Sequence, residues 1–182
     1  MDKIILFVLL TIPLIIISRR ALFEFRSHGF YRFFSWECII ALFVLNYEQW
    51  FKDPFSVTQV ISWLMLIISL YLVISGALLL WKARKPGVVR TDENLFRFER
   101  TTELVTSGVY KYIRHPLYSS LLFLSWGIWF KHPGVITAMV ALLSSILLYL
   151  TSKADEDECV AFFGEKYSDY MSRTRRFIPF LF

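Results

Sequence analysis

Apolar positions along the chain fall into five runs, at 4–18, 38–51, 57–81, 117–130 and 135–150, and the charged residues collect between them. Runs this apolar predict transmembrane helices. The run at 57–81 is decisive, since its 25 uncharged residues give about 37 Å of helix, enough for a ~30 Å hydrocarbon core with some tilt. The run at 117–130 has 14 residues, about 21 Å of helix, so Pro116 is expected below headgroup level or in a locally thin bilayer. Arg32 and Glu37 interrupt the approach to the second run; they either pair, face a polar cavity or snorkel to the interface. A tight turn at 131–134 makes the last two runs an antiparallel hairpin.

Past the last run the period changes. Val160, Phe163, Tyr167, Tyr170 and Met171 recur at helical spacing, which predicts a tail helix from about 155 to about 172 with an apolar stripe. Asp155, Glu156, Asp157 and Glu158 would then occupy its first turn, where carboxylates complement the helix dipole. The closing Arg175, Arg176 and the aromatic residues after them read as a membrane-surface anchor. The connection at 82–114 mixes charge with Val88, Val89, Leu95, Phe96, Phe98, Leu104, Val105, Val109 and Tyr110. A loop of that length carrying its own apolar residues reads as a folded functional element and not as a tether.

Composition agrees with the pattern: 56% of the 182 residues are hydrophobic and 18 are phenylalanine, with mean hydropathy +0.51, well above what a soluble domain needs for its core. The expected fold is therefore an all-α integral membrane protein of about five transmembrane helices. It reads as one membrane domain, 1–182, made of N-terminal spans (1–81), a connector (82–115), a helical hairpin (116–152) and a tail (153–182). With five spans, 17 of the 20 Lys and Arg residues lie on one side, which places the N-terminus outside and the connector, active site and C-terminus in the cytoplasm. The first run reads as an uncleaved anchor, because no small-x-small site follows it and Arg19-Arg20 closes it. Cys38 and Cys159 are expected on different levels and unbridged.

The glycines, at 29, 76, 87, 108, 127, 134 and 164, form neither G-x-G-x-x-G nor a phosphate loop. His28, His115 and His132 show no metal-ligand spacing, no G-x-S-x-G is present, and neither a metal nor a nucleic-acid partner is expected. What remains is a polar group at one membrane face: Arg114 and His115 before a helix, the acids at 155–158, and Arg176. Pro116 suits the first helical turn, whose free amides together with His115 make a donor-rich end fit for an anion. Glu156 supplies the opposite charge for a cationic ligand, and the hairpin returns it to the face that carries His115.

The block LVTSGVYKYIRHPLYSS, followed by DEDECVAFFGEKYSDYMSRTRRFIP, closely resembles the C-terminal signature of the isoprenylcysteine carboxyl methyltransferase family, related to the phospholipid N-methyltransferases. The matching positions are Gly108, Tyr110, Arg114, His115, Pro116, Tyr118, Glu156, Phe163, Gly164, Tyr167, Tyr170, Arg176, Phe177 and Pro179. Asp155 stands where the family has its first Glu, and Cys159 where it has Leu. The resemblance covers about residues 104–179. It implies a membrane methyltransferase using S-adenosyl-L-methionine and a lipophilic acceptor within the bilayer, in contact with membrane lipids. Leu104, Val105, Gly108, Tyr110, His115, Pro116, Tyr118 and Glu156 would bind the cofactor, and Glu156, Arg176 and Arg114 would serve the reaction. A carboxylate acceptor, such as that of a prenylated cysteine or related isoprenoid lipid, needs no base and could be held by Arg176 or Arg114. An amine acceptor, as in a phospholipid N-methyltransferase, needs Glu156 or His115 to take a proton. An NADPH-dependent enzyme like the membrane sterol reductases and a non-catalytic lipid-binding protein are the rival readings.

Overall fold

The computed structural model describes residues 2–83 and 101–179. The expectations placed on Val88, Val89, Leu95, Phe96 and Phe98 and on the last three aromatic and aliphatic residues lie outside that range. Among the described residues the secondary structure is helical: α1 (Lys3–Ser18), α2 (His28–Asn46), α3 (Val57–Lys82), α4 (Pro116–Trp129), α5 (Val135–Phe163) and α6 (Glu165–Arg173). Local chemistry starts the helices where they begin. The Asp2 carboxylate accepts from the Ile4 amide, the Ser27 hydroxyl from Phe30 and the Ser56 hydroxyl from Gln59, capping α1, α2 and α3. Pro116 opens α4, where its missing N–H costs nothing.

Two helix boundaries change. Among the described residues, three helical stretches are long and apolar enough to cross a membrane, 28–49, 57–82 and 135–163, and the 3–18 helix is a shorter apolar one. α1 has 16 residues and α4 has 14, about 24 and 21 Å of helix. The second helix begins at His28 instead of residue 38, because its polar residues face a partner helix instead of ending the element: the Ser35 hydroxyl lies 3.0 Å from the Ser144 hydroxyl. The tail helix does not start at 155. α5 runs unbroken through the four acids to Phe163, and Gly164, at φ +61°, turns the chain into the short α6. Asp155, Glu156 and Glu158 are side-chain partners of other elements, described below, and the four acids do not form a first turn.

The helices pack in series, α1 on α2, α2 on α5, α5 on α4 and α4 on α3. Ile39, Leu42, Ile128 and Ala141 form the central core. In lipid the association of helices depends on close backbone approach and interhelical hydrogen bonds, and this chain uses both. Ser62 donates to the Gly127 carbonyl at 2.6 Å and Ser69 to the Ser120 carbonyl at 2.7 Å, joining α3 to α4. Asn46 donates to the Ile128 carbonyl at 3.0 Å, joining α2 to α4. A Cβ on Gly127 would come within 3.0 Å of the Leu66 side chain. Large aliphatic side chains such as Ile16, Leu64, Ile67 and Ile146 remain on the outer faces, the surface that meets acyl chains.

Replacing Gly127 with Leu is expected to push α3 away from α4 and cost about 1–3 kcal/mol, the usual range for overpacking. A drop in melting temperature in detergent or nanodiscs measures it, and an unchanged melting point would show that this contact is not close.

Candidate active site

The site is built where the start of α4, the end of α5 and the residues after α6 meet. The chain after α6 runs back beside the segment that enters α4. Arg175 donates from its amide to the Tyr112 carbonyl at 3.1 Å, while Arg114 and His115 donate theirs to the Arg175 and Arg176 carbonyls at 2.8 and 3.2 Å. Ser119 adds a bond from its hydroxyl to the Phe177 carbonyl at 2.9 Å. This main-chain clip fixes Arg114, His115 and Arg176 side by side, although 61 positions separate His115 from Arg176 in the sequence.

All three point at one carboxylate. Arg114 Nε donates to Glu156 Oε1, Arg176 Nε donates to the same oxygen at 3.0 Å, and Arg176 Nη2 donates to Oε2 at 2.6 Å. His115 Nε2 lies 3.1 Å from Oε1 and its Nδ1 lies 3.4 Å from Asp155 Oδ2. The Glu156 side chain is only 5% exposed, so these charge-assisted bonds offset the cost of burying it. The Arg176 guanidinium also stacks over the Tyr149 ring, 4.9 Å from its centre. Burial disfavours the charged His115 ring, but its bonds to Asp155 and Glu156 outweigh that and raise its pKa above the ordinary 6.5.

A cavity of about 90 Å³ opens beside this cluster. Leu104, Val105, Tyr110, Arg114, His115, Pro116, Tyr118 and Asp155 line it, joined by Thr101, Leu80, Cys159, Phe163, Tyr167 and Tyr170. Seven of the ten site residues named from the sequence are therefore in its wall. Gly108 stands behind it, at φ +59° and so close to α3 that a Cβ would meet the Leu79 side chain at 2.7 Å. Glu156 and Arg176 are not in the wall: they hold Arg114 and His115 from the far side. Asp155, to which the sequence reading gave the lesser part, is the carboxylate that faces the cavity. Tyr170 from α6 donates to the Tyr110 carbonyl at 2.7 Å and closes one side.

One grouping was not visible in sequence spacing. His28 meets Asp155 and Glu158, with ligand-type atoms of the three within 4.8 Å of one another. Glu158 accepts from the His28 amide at 3.1 Å and lies 2.6 Å from its ring Nδ1, which ties the start of α2 to the end of α5. No local motif announces a contact across 130 positions.

A family model described as phospholipid methyltransferase matches residues 57–166, the stretch that carries α3, the entry to α4, the hairpin and both acids. The chain belongs to the phospholipid methyltransferase family. Its long apolar helices agree with membership of a membrane-embedded family. Protein-S-isoprenylcysteine O-methyltransferase from Mus musculus is 35% identical over 83 residues, 44% of this chain and 29% of the relative. Methanethiol S-methyltransferase from Crocosphaera subtropica is 30% identical over 79 residues, covering 42% and 29%, and its counterpart in Pseudomonas deceptionensis is 32% identical over 76 residues, covering 42% and 28%. The matched stretch is thus less than a third of the length of these relatives. No solved structure matches the chain.

Two outcomes test the cluster. Glu156→Gln removes the charge that holds two buried guanidinium groups and is expected to destabilise the fold by about 3 kcal/mol, read as a lowered melting temperature; a loss below roughly 0.5 kcal/mol, the level of an exposed surface pair, would show that the cluster does not hold the fold. Because the pKa of His115 is raised on folding, its contribution is fully present below the unfolded pKa and is lost as pH rises through the folded one. Stability should therefore fall as pH rises above the ordinary imidazole value of 6.5, and His115→Gln should flatten that part of the profile.

Proposed function

We propose that the chain transfers a methyl group from S-adenosylmethionine to a lipophilic acceptor that arrives from the bilayer. The observation that carries this reading is the wall of the cavity between α4, α5 and α6: one carboxylate, one guanidinium and one imidazole set in an apolar and aromatic lining. When bound, the cofactor supplies a methyl group activated by a sulfonium. Its other parts call for the groups present. Asp155 suits the ammonium, Arg114 suits the carboxylate, and Leu104, Val105, Tyr110 and Phe163 suit the adenine ring. Glu156, Arg176 and His115 are positioning residues in this scheme, holding Arg114 and Asp155 at fixed places.

Methyl transfer is an in-line displacement whose demands on a protein are alignment and exclusion of water. A rigid, buried ion cluster beside an apolar cavity serves both. The cavity as it stands is smaller than the ~300 Å³ at the low end of ordinary ligand sites, so the bound form must be wider. The excess of basic residues on this side of the helices supports a cytoplasmic placement of the site. The likeness to methanethiol S-methyltransferases favours a small thiol acceptor as the second reading.

S-adenosylhomocysteine is expected to raise the melting temperature of the purified chain and NADPH to leave it unchanged. Asp155→Asn should weaken that ligand roughly tenfold or more, the range for losing a hydrogen bond to a charged group. Stabilisation by NADPH alone would overturn the proposal.

A further inference from the structure

A separate recess of about 260 Å³ opens on the outer side of the main-chain clip, lined by Lys111, Tyr112, Ser172, Arg173 and Arg175. It shares no residue with the cavity beside Glu156. The geometry of the clip explains the separation. Along an extended segment successive side chains point to opposite faces, so while Arg176 turns inward to Glu156, Arg175 turns outward and is exposed. On the opposing segment Ile113 is buried and its neighbour Tyr112 is 50% exposed. The end of α6 adds Ser172 and Arg173. Two stretches distant in sequence, 111–112 and 172–175, thus meet in one outward-facing recess.

Three of the five lining residues are cations, and among the described residues no carboxylate lines the recess. Arg173 Nη2 stands 3.9 Å from Asp169 Oδ2, but those side chains are 76% and 75% exposed, too solvated for the pair to hold the guanidinium firmly. Lys111 Nζ lies 5.8 Å from the centre of the Tyr112 ring. Like charges gathered without an acid repel one another, and here the repulsion acts across the clip, between 111 and 173–175. An anion in the recess reverses its sign. The chemistry of the donors narrows the choice of anion: guanidinium groups match planar pairs of oxygens, and an ammonium serves as a point charge. A carboxylate brings one charge and two oxygens. A phosphate monoester brings a charge of about −1.5 to −2 at neutral pH and three strong acceptor oxygens, which suits three cations converging from separate residues. The volume equals roughly nine water molecules in the liquid, room enough for that group.

We propose that this recess binds a phosphate monoester through Lys111, Arg173 and Arg175 and that the bound group braces the clip from outside. The main chain already joins the two stretches, through the bonds of Tyr112, Arg114 and His115 to Arg175 and Arg176. A phosphate adds a second, side-chain link between them and cancels the repulsion that works against the first. Because the inner face of the same clip carries Arg114, His115 and Arg176, occupancy of the recess steadies the cluster on Glu156 without touching it. The monoester headgroup of an anionic lipid and a soluble phosphate present the same oxygens to these side chains. The site is distinct from the methyl-donor cavity, and its existence does not depend on the methyltransferase reading.

The test places the full chain in nanodiscs of phosphatidylcholine alone, with phosphatidic acid, or with phosphatidylserine at matched net charge, and adds inorganic phosphate to the first at an ionic strength held constant with chloride. A phosphate monoester that binds the folded chain should raise its melting temperature and slow amide hydrogen exchange at Arg114, His115 and Arg175, while phosphatidylserine does neither. A response to phosphatidic acid alone assigns a lipid source, and one to inorganic phosphate alone a soluble source. Lys111→Gln and Arg175→Gln leave the main-chain bonds of the clip in place. Each should weaken binding roughly tenfold or more, the range for losing a bond between charged groups. Lys166→Gln, an equal loss of charge at an exposed position of α6 outside the recess, should leave binding unchanged. No response to either phosphate source would overturn the proposal. So would equal responses to phosphatidylserine and phosphatidic acid, or equal losses in all three variants, since both would reduce the recess to general surface charge. Binding without slower exchange at the clip would overturn the bracing.

Discussion

A carboxylate on the last third of α5 holds this structure's functional end together. Glu156 sits in a nearly dry position, and a buried charge there is tolerable only because two guanidinium groups and an imidazole reach it. Those partners come from the entry to α4 and from the chain after α6, so one side chain joins three stretches of the molecule. The main-chain clip between 112–115 and 175–177 sets the spacing, and the ions supply the energy that keeps the clip closed. Without the carboxylate, two cations would face each other across it.

From that constraint the division of labour follows. Glu156 is not among the residues that line the cavity, whereas Asp155, one position earlier on the same helix, is. Successive helical residues are about 100° apart around the axis, so two adjacent acids can serve different sides, one structural and one open to ligand.

Much of the site was legible in the sequence because it is written in short motifs. Arg114, His115 and Pro116 are contiguous, Pro116 marks a helix start by its chemistry, and the tight turn at 131–134 forces α5 back to the face that α4 left. Helix boundaries were less legible. Hydrophobicity counts a buried serine or arginine as a break, yet Ser35 meets Ser144 and stays inside α2, and four consecutive acids stay inside α5, three of them paired with other elements and Asp157 exposed. The exchange of importance between Asp155 and Glu156 could not be read either, since it depends on which face of α5 looks toward α4. The contacts of His28 with Glu158 arise from packing between distant segments that leaves no local pattern.

Under the proposed function, the methyl donor binds beside a fixed Glu156 cluster and not in its place. A cryo-electron microscopy map of the chain in nanodiscs with S-adenosylhomocysteine tests it most directly. Ligand density is expected between the start of α4 and α6, in contact with Asp155, with Glu156 still bonded to Arg114 and Arg176. Density elsewhere, or Glu156 released from both arginines to contact the ligand, would contradict it.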